Sequence, residues 1–218
     1  MDEGYRAVYR GGCGEITEKK SRFIATIAPV ETEENALFFI EQTKKKYWDA
    51  RHNCFAYIIG RDGGLARYSD DGEPTGTAGK PMLEILLSEG VHNAAVVVTR
   101  YFGGVLLGTG GLVRAYQAAV KAGLSECTIV KKQFGRSLLI QTDYNGLGKL
   151  QYIAAQEEIP IVSSEYTDSV AVTLFVTPAK EEHITRRFLD ATAGKAIITP
   201  GKENWFTMLN GELLLFEH

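Results

Sequence analysis

Two glycine-rich segments are the sequence feature that most constrains how this chain can fold. The first lies between Gly72 and Gly79 and the second between Gly103 and Gly111, and a run with helical spacing follows each of them. Glycine tolerates positive φ and lets another backbone or a ligand approach closely. Residues 1–135 hold 18 of the 23 glycines. We therefore expect the functional loops in this part of the chain.

Length and charge indicate two domains of different character. The chain has 218 residues, of which 44% are hydrophobic and 23% charged, which is typical of globular proteins and is enough for two domains of about 100 residues each. Residues 1–135 carry a net charge of +1 and residues 136–218 one of −4. We predict one domain at 1–132 and another at 136–218, with a linker across residues 131–136. The total of −3 does not indicate a strongly basic nucleic-acid binder.

Hydropathy and cysteine usage predict a cytoplasmic protein that does not enter a membrane. The longest aliphatic run, residues 94–98, is far shorter than the roughly 20 apolar residues that a membrane helix needs. The first residues lack the basic start and apolar core of a signal peptide. Cys13, Cys54 and Cys127 are widely spaced, which excludes a zinc ribbon or a disulfide framework.

The order of predicted elements differs between the two parts and indicates an α+β protein. In the first part, the continuous apolar run at residues 94–99 predicts a strand that is covered on both faces. In the second part, a strand at 138–142 is followed by a helix, two strands, a second helix and a strand at 196–199. That βαββαβ order is the ferredoxin-like motif. Residues 202–205 are interpreted as an exposed turn, and the second part as an accessory binding or packing module.

The second glycine-rich segment is the best candidate for an anion site. Gly108, Gly110 and Gly111 precede an amphipathic helix, and a helix N-terminus with free amide groups favours negative charge. Arg100 and Arg114 can add charge-assisted hydrogen bonds to a phosphate. The alternative is a tight loop in which the glycines only satisfy backbone geometry. The spacing matches neither a Rossmann fingerprint nor a Walker loop.

A second polar cluster surrounds the first glycine-rich segment. Asp70, Asp71 and Glu73 have the carboxylates that a hard cation prefers, but they can equally cap the next helix or pair with Arg67 or Arg100. His52 and Cys54 share a strand face, so a Cys/His nucleophile is a further alternative. None of these patterns is specific, and we predict no catalytic residue, no metal and no cofactor.

Four motifs together resemble the Impact family, and in particular its bacterial YigZ-like branch. They lie at residues 20–24 (KSRFI), 52–57 (HNCFAY), 67–81 (RYSDDGEPTGTAGKP) and 98–116, which opens with VTRYFGG and closes with GGLVRAY. The resemblance implies a first domain like ribosomal protein S5 domain 2, with a left-handed βαβ crossover, and a second domain like the ferredoxin-like domains of elongation factor G. The chain departs from the family at Leu106, where a lysine is frequent.

The resemblance and the residues together favour a translation-linked regulatory protein that binds structured RNA or the ribosome through the basic, glycine-rich face of the first domain. Its predicted ligand-binding residues are Arg67, Lys80, Arg100, Tyr101, Gly103, Gly104, Gly108, Gly110, Gly111 and Arg114. The supporting polar residues are His52, Asp70, Asp71, Glu73 and Thr77. Two alternatives stay open: an enzyme acting on a nucleotide or phosphorylated small molecule at the Gly108–Gly111 loop, and a protein–protein regulator that uses the second domain.

Overall fold

The computed structural model describes residues 4–216 and divides into two compact units. The N-terminal unit is Tyr5–Lys131, and the C-terminal unit runs from Lys132 onward and includes Gly4. No helix between residues 4 and 216 is long and apolar enough to cross a membrane.

The N-terminal unit is built on a five-stranded antiparallel sheet with the strand order β2-β3-β7-β4-β5. These strands are β2 (Gly12–Glu18), β3 (Ser21–Pro29), β4 (His52–Ile59), β5 (Leu65–Ser69) and β7 (Ala94–Tyr101). A separate parallel pair joins β1 (Tyr5–Arg10) to β6 (Val91–His92). The helices are α1 (Glu33–Lys46), α2 (Gly79–Ser88) and α3 (Thr109–Ser125).

The central strand β7 explains why helices cover both faces of this sheet. Its side chains alternate between faces, as they do in any strand. Val96 and Val98 join the buried cluster that includes α2 and α3, whereas Ala95 and Val97 join a second cluster with α1. The prediction of a strand covered on both faces is therefore confirmed. The same alternation directs Arg100 toward α3.

The C-terminal unit has the predicted βαββαβ order followed by one added strand. Its elements are β8 (Thr128–Thr142, which begins in the N-terminal unit), α4 (Tyr144–Gln156), β9 (Ile161–Tyr166), β10 (Val170–Val176), α5 (Pro178–Ala191), β11 (Ile197–Leu209) and β12 (Glu212–Phe216). Within this unit the strands lie in the order β9-β10-β8-β11-β12, and all of these pairs are antiparallel. The core contains Leu138, Ile140, Leu150, Ile184 and Phe188.

Two predictions about the second part were wrong. Residues 131–136 are not a linker, because they lie within the continuous strand β8, where Phe134 pairs with Trp205 of β11. Residues 202–205 are not a turn, because β11 runs through them to Leu209. Both segments combine charged residues with buried or partly buried positions: Lys132 and Gly135 are buried in the first, and Asn204 and Trp205 are partly buried in the second.

Candidate functional site

A cleft of about 440 Å³ lies beside the N-terminus of α3 in the N-terminal unit, and we call it the α3 cleft. It is lined by Arg51, His52, Gly72, Glu73, Pro74, Arg100, Phe102, Leu106, Leu107, Gly108, Thr109 and Leu112. The two glycine-rich segments of the sequence therefore meet at one site, because Gly72 and Gly108 both line the cleft.

The N-terminus of α3 reaches the α3 cleft without a side-chain cap. The N-cap is Gly108 at φ 72°, and the first turn contains no acidic residue. The first intrahelical bond of this turn runs from the Leu112 N–H to the Gly108 carbonyl, at 3.0 Å. The N–H groups of residues 109–111 consequently have no acceptor within the helix, and they carry the positive end of its dipole. The positive φ at Gly108 explains why glycine stands there.

A buried ion pair forms another part of the lining. The Arg100 Nη1 donates to the Glu73 Oε1 at 2.6 Å, and Arg100 is only 6% exposed. The Tyr116 hydroxyl donates to the same oxygen at 2.8 Å. The guanidinium carbon also lies 5.3 Å from the ring centre of Phe23 and 5.5 Å from that of Phe102. The Glu73 carboxylate and the rings of Phe23 and Phe102 thus fix Arg100 in one position.

One polar atom of the Arg100 side chain does not take part in these contacts. The Arg100 Nε is buried and has no hydrogen-bond partner among the residues that the structure describes. A buried donor without an acceptor costs about 1–3 kcal/mol, and such an atom in a cleft is a reason to look for a missing ion or ligand.

Asp70 and Thr77 hold the first glycine-rich segment in shape. The Asp70 carboxylate accepts from the backbone N–H groups of Gly76, Ala78 and Gly79 at 2.8–3.0 Å. The Thr77 hydroxyl donates to the Pro74 carbonyl at 2.7 Å. Asp70 therefore does the work of a cap at the start of α2.

Asp71 and His52 link this segment to β4. The Asp71 carboxylate accepts from Lys44 Nζ at 2.8 Å and from the Asn53 N–H at 2.7 Å. Burial alone would raise the Asp71 pKa, but these two hydrogen bonds outweigh it and hold the pKa below its ordinary value. The His52 Nδ1 lies 2.8 Å from the Asp71 carbonyl. Residues 4–216 contain no group of three or more metal-ligating side chains.

The Cys54 thiol, which a Cys/His nucleophile would need, is buried away from the cleft lining. It donates to the Asp70 carbonyl at 2.9 Å and lies 3.3 Å from the Tyr116 hydroxyl. Burial raises the Cys54 pKa far above its ordinary value. The thiol is therefore protonated at neutral pH, and the thiolate that acts as a nucleophile is absent.

The other predicted cations lie elsewhere on the N-terminal unit. Arg67 is exposed on β5 and donates to the neighbouring Ala66 carbonyl, and Lys80 is exposed in the first turn of α2. Arg114 lines a separate hollow of about 250 Å³ together with Lys19. Arg100 is thus the predicted cation that the α3 cleft contains.

The remaining predicted residues surround the loop that leads into the cleft. The Tyr101 hydroxyl donates to Asp49 at 2.8 Å. A Cβ on Gly103 would lie 2.0 Å from the Lys20 carbonyl carbon, so the loop packs directly against the β2–β3 turn. Gly104 has φ 82°. Gly110 has space around it, with only the end of the Arg114 side chain within contact distance of an added Cβ. Gly111 packs against Leu107.

Arg51 and Phe102 were absent from the predicted site. The exposed Arg51 guanidinium lies 6.0 Å from the Phe102 ring centre, and both residues line the α3 cleft. A sequence signal existed, because His52 pairs with Arg100 across β4 and β7. That register places Arg51 beside the cleft, but it can be read only once the two strands are known to be neighbours.

Fold and cleft together define a class: a two-domain α+β protein with a glycine-lined cleft in its first domain. A model of the Impact N-terminal domain matches residues 19–124, and a model of a domain of unknown function (DUF1949) matches residues 140–195. The chain belongs to the IMPACT family, which confirms the resemblance drawn from the motifs.

Relatives and a solved structure match most of the chain. IMPACT family member YvyE of Bacillus subtilis is 38% identical over 202 residues, covering 93% of both chains. IMPACT family member YigZ of Escherichia coli is 38% identical over 178 residues, covering 81% of this chain and 87% of that one. A crystal structure described as that of a hypothetical protein has a TM-score of 0.59 at 34% identity, covering 91% of this chain and 97% of its own. The two-domain α+β fold is thereby confirmed.

Proposed function

We propose that this protein is a cytoplasmic, translation-linked regulator that binds structured RNA, on its own or within the ribosome, through the glycine-rich face of its N-terminal unit. The observation that carries the proposal is the uncapped N-terminus of α3, which lies in one cleft with Arg51 and Arg100. Backbone amides and arginines are the groups that most often contact nucleic-acid phosphates.

Further basic residues lie near the loop that carries Phe102. Lys19 and Lys20 are exposed in the β2–β3 turn, and the backbone of Gly103 packs against that turn. Arg51 lies beside Phe102. This local concentration of positive charge supports binding to a polyanion even though the whole chain carries −3.

An exposed aromatic residue lies close to these cations. Trp48 is 82% exposed and follows the basic run at the end of α1. It stands three positions before Arg51, which limits the distance between the two Cα atoms to about 11 Å. Exposed aromatic rings beside a basic groove stack on unpaired bases, so this segment supports recognition of RNA loops rather than of a regular duplex.

The test is salt-dependent binding of a fluorescently labelled ribosomal RNA stem-loop, followed by anisotropy. The Lys19→Ala plus Lys20→Ala variant and the Arg51→Ala variant should each bind more weakly and show a shallower dependence on salt, by about 0.7–0.9 in log–log slope per lost phosphate contact. Arg10→Ala is the matched control, because Arg10 is an exposed arginine on β1 outside the cleft. An RNA affinity that changes neither with salt concentration nor in any of these variants would contradict the proposal.

The enzyme alternative would use the same α3 cleft. The Cys54 thiol, which would be its nucleophile, is buried and protonated. A protein partner for the C-terminal unit stays a prediction.

A further inference from the structure

The α3 cleft has the donors and the size for a more specific ligand than an RNA backbone. This inference rests on the proposed function and narrows it. We propose that the cleft binds the terminal phosphate monoester of a nucleotide, either a free nucleoside monophosphate or the phosphorylated 5′ end of an RNA.

Four kinds of donor lie at the cleft. The Thr109 amide lacks an acceptor within α3, and the Thr109 side chain lies in the same lining. Arg51 contributes a guanidinium that forms no ion pair with any residue between 4 and 216. The buried Arg100 Nε lacks a partner in the same part of the chain. Phosphate oxygens in the cleft would supply acceptors to the Thr109 groups and to Arg51.

The number and charge of these donors favour a monoester over a diester. A phosphate monoester carries about −1.5 to −2 charges at pH 7 and offers three terminal oxygens. An internal phosphodiester carries one negative charge and offers two free oxygens. The nucleic-acid chain continues from both of its ester oxygens, so the site would have to be open on two sides. The positive end of α3 together with the Arg51 guanidinium suits the more highly charged group.

The shape of the cleft limits the ligand to about one nucleotide. Its volume of about 440 Å³ lies within the range of about 300–1,000 Å³ usual for small-molecule sites, and a duplex would not fit in it. Phe102, Leu106 and Leu107 provide an apolar wall on the side of the second glycine-rich segment. A base or ribose attached to the bound phosphate would lie against that wall.

The buried pair of Arg100 and Glu73 explains why the site is selective rather than merely basic. Glu73 neutralises Arg100 and holds it in place. The net attraction for an anion then comes from Arg51 and the N-terminus of α3. Preorganised donors of this kind recognise geometry as well as charge.

The site can be tested with adenosine monophosphate, adenosine and inorganic phosphate in calorimetric titrations of the full chain. We expect adenosine monophosphate to bind at least about tenfold more tightly than adenosine, because only the nucleotide engages the charged donors. In parallel, one RNA stem-loop with a single-stranded 5′ end is prepared with a 5′ phosphate and with a 5′ hydroxyl. The phosphorylated form should bind more tightly by a similar factor.

Two variants at exposed positions report on the site without disturbing the core. Arg51→Ala should reduce the preference for the phosphorylated ligands about tenfold. Leu106 is 82% exposed in the cleft lining, so Leu106→Lys should add a cation and strengthen the preference. Arg10→Ala, on β1 outside the cleft, should leave it unchanged.

The outcomes separate this inference from the proposed function. RNA that binds equally well with either 5′ end, together with adenosine monophosphate no better than adenosine, overturns the terminal-phosphate site and leaves the RNA function standing. Adenosine monophosphate that binds through its phosphate, with no RNA binding, supports the site and overturns the RNA function. Absence of binding to every ligand overturns both, and an unchanged preference in Arg51→Ala overturns the assignment to this cleft.

Discussion

Replacement of Glu73 by glutamine should destabilise the N-terminal unit far more than a typical surface substitution. The Glu73 and Arg100 side chains are 3% and 7% exposed, and their closest atoms are 2.6 Å apart. Glutamine keeps the size of the side chain but removes the negative charge. The Arg100 guanidinium would then be a buried cation with no counter-charge.

The magnitude follows from the burial of the pair. Removal of one partner from a buried ion pair costs about 3–5 kcal/mol. Because the amide oxygen of glutamine can still accept from Arg100 and Tyr116, we expect the lower value, about 3 kcal/mol. Tyr116→Phe removes one hydrogen bond to the charged Glu73 carboxylate and should cost about 1.5 kcal/mol. Glu73→Gln combined with Arg100→Met removes both charges and should be less destabilised than Glu73→Gln alone.

The assay is native-state hydrogen exchange of β7 peptides, read by mass spectrometry. It reports on the N-terminal unit by itself, whereas melting or denaturation of the whole chain follows both units together. A loss of 3 kcal/mol should speed exchange of the most protected amides about 100-fold. The reasoning is refuted if Glu73→Gln changes protection by less than about twofold, or if the double variant is less protected than Glu73→Gln.

Three further changes test the scaffold around the α3 cleft. Asp70→Ala removes the acceptor of three backbone N–H groups and should lower stability by about 1–2 kcal/mol, as loss of a helix cap does. Thermal melting is the measurement, and Asp70→Asn is the milder control. Gly103→Ala places a Cβ 2.0 Å from backbone atoms of the β2–β3 turn, whereas Gly104→Ala meets open space at φ 82°; melting should show the larger loss for Gly103→Ala, and equal losses would contradict the close approach. The Asp71 pKa is lowered in the folded protein. The contribution of Asp71 to stability is therefore present above its pKa in the unfolded chain and is lost as pH falls through its pKa in the folded protein. Denaturant midpoints between pH 6 and pH 3 should fall less steeply for Asp71→Asn than for the unchanged protein.

The fold could be predicted from the sequence where hydrophobic periodicity was strong. The apolar run of β7 and the βαββαβ order of the second part are both found in the structure. The prediction of a linker at residues 131–136 was wrong because Lys131 and Lys132 suggested a solvated segment. In the structure Lys132 is buried within β8, since a long side chain can cover apolar surface with its stem. Composition alone does not reveal that.

The candidate site was only partly predictable, because sequence distance hides which loops meet. The glycines before α3 were identified from local pattern, and the structure places Gly108 in the cleft lining. Arg100 was predicted as a phosphate ligand, with pairing to the acidic cluster as an alternative, and the structure shows it buried and paired with Glu73. That pairing links residues 27 positions apart and depends on the neighbours of β7 in the sheet. Arg51 was missed for the same reason.

The buried pair also determines how the cleft can change during evolution. Loss of either Arg100 or Glu73 alone leaves an isolated buried charge, so a single substitution at one position passes through a destabilised protein. We therefore expect the two positions to change together among relatives, or not at all. Leu106 is exposed in the same lining and can change by itself. Variation at Leu106 should then follow differences in ligand preference between family members, while the paired positions should change only together.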